Sequence, residues 1–149
     1  MKSNLIYLIM ALITGALIPI QASTNSTFSK SVGNPFSAGL MVFIVGLLGM
    51  LIFVFIARIS LPTSQQLVSA PLYSYAGGLI VATYVIMITI LVPRVGVGTA
   101  IAFIVTGQIA FAVLIDHFGL FNTPIRLMTA ARLMGVLLII GGVYLVMKK

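Results

Sequence analysis

Long apolar runs separated by short polar segments are the main pattern along this chain. A membrane-spanning helix needs about 20 mostly apolar residues to cross a hydrocarbon core about 30 Å thick. Five runs fit this requirement, and they predict helices over residues 5–22, 35–57, 73–92, 95–115 and 124–147. The last helix is expected to begin near Pro124, because Asn122-Thr123-Pro124 places a capping residue before a proline at the first helical position.

The composition excludes a soluble enzyme or nucleic-acid-binding domain. Of the 149 residues, 61% are hydrophobic and only 6% are charged, whereas soluble domains carry roughly a quarter charged residues. A soluble fold of this length has too little interior to bury so much apolar surface. We therefore predict an all-α integral membrane protein in which residues 1–149 form a single transmembrane domain surrounded by lipid.

Few residues of the chain can carry chemistry. It contains no Cys, one His and a single acid, Asp116. One chain therefore cannot assemble a metal site, a nucleophile–base set or a pair of carboxylates, and we expect no metal, no cofactor and no enzymatic activity. The net charge of +7 does not indicate nucleic acid as a partner, because the cations are scattered between apolar runs, as they are at the ends of membrane spans.

The eight Lys and Arg residues divide evenly between the two sides of the predicted membrane domain. Five spans place the termini on opposite sides, which assigns Lys2, Arg58, Arg126 and Arg132 to one side and Lys30, Arg94, Lys148 and Lys149 to the other. The positive-inside rule then selects no orientation. Two oppositely oriented copies can pair as an antiparallel homodimer, a ten-helix bundle with the inverted repeat found in many transporters. The alternative is a coincidence of small numbers.

Polar and helix-breaking residues inside the first span are candidate lining groups, because unpaired polar groups are costly in lipid. Gln21 and Asn25 lie one turn apart on a polar stripe near one end of this span. The ring of Pro19 crowds the carbonyl of Gly15, which predicts a kink or break in the helix. Two interpretations follow: a kink satisfied by packing, or a break that lines a cavity beside Gln21.

Later spans carry two more candidate lining residues and two sets of small residues. Tyr84 and Gln108 are predicted to line the same cavity, with ordinary hydrogen bonds between helices as the alternative for each. Small residues recur every fourth position in the fourth span and predict close helix packing: Gly98, Ala102, Thr106 and Ala110. Glycines in the last span predict a helix-packing or dimer seam: Gly135, Gly141 and Gly142.

Asp116 lies where the fourth span ends, a short loop before Arg126 and Arg132. An ionisable residue at a membrane span predicts a proton-coupling site. A structural ion pair with one of the two arginines is the simpler interpretation. The neighbouring His117 either titrates near neutral pH or anchors the helix at the membrane interface.

Several short motifs, taken together, resemble one protein family. They are Gly15-x-x-x-Pro19-Ile20-Gln21-Ala22-x-x-Asn25, Gly77-Gly78, Pro93-Arg94 with Gly96, Gly107-Gln108 and Asp116-His117-Phe118-Gly119. Over nearly its full length the chain resembles the YdcZ-type proteins, five-helix prokaryotic inner-membrane proteins of the drug/metabolite transporter superfamily. Its last helix is similar to the dimerisation helix of the small multidrug resistance transporters. The resemblance implies that the chain is one half of a ten-helix transporter, completed by a second copy.

The predicted function is export or exchange of a small metabolite or drug-like solute by alternating access. An uncharged or zwitterionic solute fits best, because no acid lies in mid-membrane to hold a permanent cation. Two other classes stay open from the sequence: a dual-topology ion channel and a non-transporting membrane scaffold. Saturable flux with counterflow distinguishes the carrier from the channel, and a scaffold shows neither flux nor conductance.

Overall fold

The computed structural model describes the backbone of residues 2–148 and the side chains of residues 5–148. Over that range the regular structure is all helical, without a β-strand. The α-helices are α1 (Lys2–Val32), α2 (Pro35–Ile56), α3 (Ser64–Ser69), α4 (Ala76–Val95), α5 (Val97–Phe118) and α6 (Ala130–Met147). Single 3₁₀ turns cover Leu72–Tyr75 and Leu120–Asn122. Lys149, one of the cations counted above, lies outside the described residues, as does the side chain of Lys2.

Five of these helices are long and apolar enough to cross a membrane. Their spanning segments are Leu5–Val32, Pro35–Ile56, Leu72–Val95, Val97–Phe118 and Ala130–Met147. The remaining helix, α3, has six residues and lies in the polar loop between the second and third spans. The prediction of an all-helical chain with five apolar helices of spanning length is confirmed, and the chain is a multi-pass membrane protein.

The chain divides into two compact units, Met1–Arg94 and Val95–Lys149. In the first unit α1 and α2 pack against each other as a helical hairpin. A Cβ added to Gly39 of α2 would lie 3.3 Å from Cγ1 of Ile86 on α4, so α2 and α4 also approach closely. The buried apolar residues of this unit lie on all three helices: Ala22, Ala38, Val85, Ile88 and Val92. In the second unit α5 packs against α6.

The first helix continues past its predicted end to Val32, because the Ser/Thr-rich segment expected to be a linker is helical. Its hydroxyl groups donate to carbonyls one turn earlier, Ser23 to Pro19 at 2.8 Å and Thr27 to Ser23 at 3.0 Å. Such bonds satisfy the hydroxyl donors within the helix, so polar side chains do not force the backbone out of it. The helix ends at Gly33, whose φ of 72° lies in the left-handed region that glycine adopts readily.

The helix α4 also continues beyond the predicted turn at Pro93 and Arg94 and ends at Val95. Near its end the Arg94 side chain folds back along the helix, and its Nη1 donates to the carbonyl of Ile90 at 2.8 Å. The backbone leaves the helix at Gly96, where φ is 86°. Glycine adopts this conformation at little cost, so the chain can leave the helix there. Pro93 lies in the last turn, where it removes only one N–H donor, and the helix continues past it.

The last helix begins at Ala130, so the predicted start near Pro124 is wrong. Thr129 caps the helix, and its Oγ1 accepts a hydrogen bond from the N–H of Arg132 at 3.2 Å. Residues 123–129 are not helical. The N–H groups of Arg126 and Met128 donate to Asp116 and His117 at the end of α5, and these bonds override the local preference of a Thr-Pro sequence for a helix start.

Candidate functional site

Three polar side chains are almost fully buried in the first unit. Asn25 and Ser26 on α1 are 6% and 5% exposed, and Thr89 on α4 is 1% exposed. Buried polar groups cost free energy unless they are hydrogen-bonded, and the cost is greatest in an apolar membrane region. Thr89 meets this requirement within its own helix, because its hydroxyl donates to the carbonyl of Val85 at 2.7 Å.

Asn25 does not meet this requirement. Its Nδ2 is buried and makes no hydrogen bond to any residue that the structure describes. A side-chain amide nitrogen carries two N–H donors. Leaving a buried donor unsatisfied costs about 1–3 kcal/mol, so an orphaned amide in a folded chain indicates a partner from outside it.

Asn25 borders a groove between α1 and α2. The groove has a volume of about 360 Å³ and is lined by Thr24, Asn25, Phe28, Met41, Val42 and Val45. None of these side chains is charged. The Thr24 hydroxyl donates its proton to the carbonyl of Gln21 at 2.9 Å, so towards the groove it can only accept. The groove therefore combines apolar walls with a bordering amide whose buried Nδ2 is unpaired and with one hydroxyl that can accept.

Of the four residues predicted to line a cavity, Asn25 alone borders this groove. Gln21 and Tyr84 are half-buried, and Gln108 is exposed on α5. Their lining role stays a prediction. The sequence did not indicate Thr24 and Phe28, although both lie within one turn of Asn25. It also did not indicate the α2 side of the groove, because Met and Val in an apolar span have the pattern of ordinary packing residues.

The break predicted at Gly15 and Pro19 does not interrupt α1, which is helical on both sides of Pro19. The carbonyl of Pro19 accepts the Ser23 hydroxyl at 2.8 Å. A Cβ on Gly15 would meet no described atom within 4 Å, so close packing within the described part of the chain does not require glycine there. Neither residue lines the groove at Asn25.

In the second unit, the predicted packing stripe on α5 is only partly in contact with α6. Thr106 donates to the carbonyl of Ala102 at 2.8 Å and borders a shallow groove of about 260 Å³ whose other wall is α6. Ala110 is half-buried. Gly98 is different, since a Cβ there would meet nothing within 4 Å.

Of the three glycines of α6, Gly141 and Gly142 are exposed and Gly135 is half-buried. A Cβ at any of them would meet nothing within 4 Å. Not one residue between Ala130 and Met147 is fully buried. Among the described residues, no other side chain packs closely enough against the predicted seam to require glycine there.

Asp116 and Arg132 form an ion pair at the boundary between α5 and α6. Arg132 Nη2 donates to Asp116 Oδ2 at 2.8 Å, and the Arg and Asp side chains are 30% and 34% exposed. Arg132 Nη1 donates to the carbonyl of Arg126 at 2.9 Å. The N–H of Arg126 in turn donates to the carbonyl of Asp116 at 2.8 Å. Of the two predicted roles of Asp116, this geometry is that of a structural pair, with Arg132 as its partner.

His117, the residue after Asp116, also binds the segment that precedes α6. Its Nδ1 accepts from the N–H of Met128 at 3.0 Å, which requires that nitrogen to be unprotonated. Its ring meets Phe118 edge to face, with centroids 4.8 Å apart. Among the described residues, no group of three His, Cys, Asp or Glu comes together that could hold a metal ion.

A double-mutant cycle is expected to find a coupling of about 1 kcal/mol between Asp116 and Arg132, because both side chains are partly hydrated. Arg132→Gln should cost more than Asp116→Asn, since Arg132 also donates to the Arg126 carbonyl. Unfolding of the purified protein in detergent measures the free energies. No coupling, together with transport that stops responding to a proton gradient in Asp116→Asn, would make Asp116 a proton site instead.

The described fold is that of a polytopic helical membrane protein. A family model described as "Putative inner membrane exporter, YdcZ" matches residues 6–145. The chain therefore belongs to the YdcZ family, and the resemblance drawn from its motifs is confirmed. No curated protein and no solved structure matches the chain. Membership of a family described in this way fits a membrane transporter.

Proposed function

We propose that two oppositely oriented copies of the chain form a ten-helix antiparallel homodimer in the prokaryotic cytoplasmic membrane. This dimer exports or exchanges a small solute by alternating access and catalyses no chemical reaction. Family membership supports the transport function. The division of the cations supports the dual orientation.

The even division of positive charge is the observation that carries the antiparallel arrangement. The observed helix ends agree with the assignment of these cations to the two sides of the membrane. Lys30 lies in the last turn of α1, Arg94 in the last turn of α4, and Arg58 just after α2. A chain without a charge bias inserts in both directions. Two such copies related by an axis in the membrane plane reproduce the inverted repeat of larger transporters, with the solute site near their interface.

The glycines of α6 support the same arrangement. Helices associate in lipid through close van der Waals contact, which small residues permit. A Cβ at Gly135, Gly141 or Gly142 would meet no described atom within 4 Å, so space is left at each of them. We propose that a second copy packs against this face, which is the seam predicted from the sequence.

Dual orientation can be measured directly because the chain contains no Cys. Ser64→Cys places a single thiol on an exposed residue of the loop helix α3. A membrane-impermeant maleimide is expected to label about half of the copies in intact spheroplasts, and the rest only after permeabilisation. Labelling of all copies, or of none, before permeabilisation contradicts the antiparallel dimer.

Proteoliposomes distinguish the carrier from the other functional classes. A carrier shows saturable uptake and counterflow when the solute is preloaded. A dual-topology channel instead shows conductance that does not saturate in this way. Absence of both in correctly folded, dually oriented protein would leave the scaffold function.

A further inference from the structure

The groove between α1 and α2 presents an incomplete set of hydrogen-bonding groups. Asn25 is 6% exposed, and its buried Nδ2 has no partner among the described residues. Thr24 borders the same groove, and its hydroxyl already donates to the carbonyl of Gln21 at 2.9 Å. A ligand that completes this set must accept from Asn25 and donate to Thr24. A hydroxyl group or a primary amide does both.

The remainder of the groove restricts the ligand further. Phe28, Met41, Val42 and Val45 give it apolar walls, and none of its lining side chains is charged. An ion in this groove would find no counter-charge among the side chains that line it. The volume of about 360 Å³ lies at the low end of the range for small-molecule pockets.

We propose that this groove binds a neutral solute with an apolar body and one hydroxyl or primary amide group, with Asn25 as the donor and Thr24 as the acceptor. The site presupposes the transport function proposed above and assigns it a substrate class. Permanent cations, carboxylates and zwitterions are excluded by the absence of any charged group in the groove lining.

Nuclear magnetic resonance of the full-length protein in detergent micelles tests this site. The chain has four Asn residues, so selective ¹⁵N-Asn labelling yields four pairs of side-chain amide signals, and Asn25→Leu identifies the pair from Asn25. Titration with benzyl alcohol or benzamide is expected to shift that signal saturably. Toluene, benzylammonium and benzoate should bind at least about tenfold more weakly, at concentrations corrected for partition into the micelle.

Two variants distinguish loss of the proposed acceptor from a general effect of a Thr→Val change in α1 on benzyl alcohol binding. Thr24→Val removes the acceptor and should weaken benzyl alcohol binding by about tenfold while the Asn25 signal is retained. Thr14→Val is the matched control, because this exposed threonine on the same helix only donates to the carbonyl of Met10. It should leave the affinity unchanged.

Equal affinities for toluene and benzyl alcohol would overturn the proposed site. So would an Asn25 signal that ignores benzyl alcohol and shifts only when the dimer is diluted, since a second copy would then be the missing partner. Counterflow in proteoliposomes is read separately. Saturable binding without counterflow overturns the transport function alone, and counterflow without a response at Asn25 overturns this site alone.

Discussion

Two lysines added to one side of the membrane domain are expected to abolish transport by any single variant. Ser60→Lys with Gln65→Lys adds charge to the side that already holds Arg58, and Ser31→Lys with Val95→Lys adds it to the opposite side. Each pair breaks the even division and gives every copy one orientation. Copies that all face one way cannot form an antiparallel dimer, so flux should fall to that of vesicles without protein.

Co-expression of the two oppositely charged variants is expected to restore transport, because each supplies the orientation that the other lacks. Maleimide labelling at Ser64→Cys reports the orientation of each variant before flux is measured. The neutral pair Ser60→Gln and Gln65→Asn controls for local effects in the loop. A variant that is fully labelled from one side and still transports at the rate of the unaltered chain contradicts the antiparallel dimer.

Replacing Gly119 by Ala is expected to destabilise the second unit by about 2–3 kcal/mol. Gly119 follows α5 with φ 61° and ψ 32°, a left-handed conformation that side chains with a Cβ rarely adopt. An added Cβ would lie 2.7 Å from Cγ1 of Ile125, so residues 123–129 would have to move away from the end of α5. Unfolding in detergent measures the loss.

The matched control for this change is Gly98→Ala on the same helix. A Cβ at Gly98 meets nothing within 4 Å, and no positive φ opposes it. Its stability should change by less than about 1 kcal/mol. If Gly119→Ala is as stable as Gly98→Ala, the segment before α6 does not pack against the end of α5 in the way described.

Two of the helix limits that the sequence placed wrongly have opposite causes. At the end of α1, Ser23 and Thr27 look like a polar linker, yet their hydroxyls are satisfied by carbonyls of the same helix. Ahead of α6, Pro124 looks like a helix start. The backbone of Arg126 and Met128 instead bonds to groups at the end of α5. Local preference is decisive only where no partner from another element competes for the backbone.

The candidate site shows a similar division between local and tertiary information. The sequence singled out Asn25 because an amide inside an apolar span is rare and costly. It did not separate Asn25 from Gln21 and Gln108, which are also amides, or from the hydroxyl of Tyr84, because all lie on spans of similar composition. Only Asn25 has an almost fully buried amide donor without a partner and a groove beside it.

The sequence by itself determined that this is a helical membrane protein with five spans, because lipid requires a spanning helix to be apolar along its length. It also determined that the chain has few ionisable residues and that its cations favour neither side of the membrane. Family membership was readable from motifs spread over the same length. The tertiary structure alone decided that Asn25 faces a groove while Asp116 is paired with Arg132. Burial and hydrogen-bond partners depend on which side chains neighbouring helices present, and that is set by packing and not by composition.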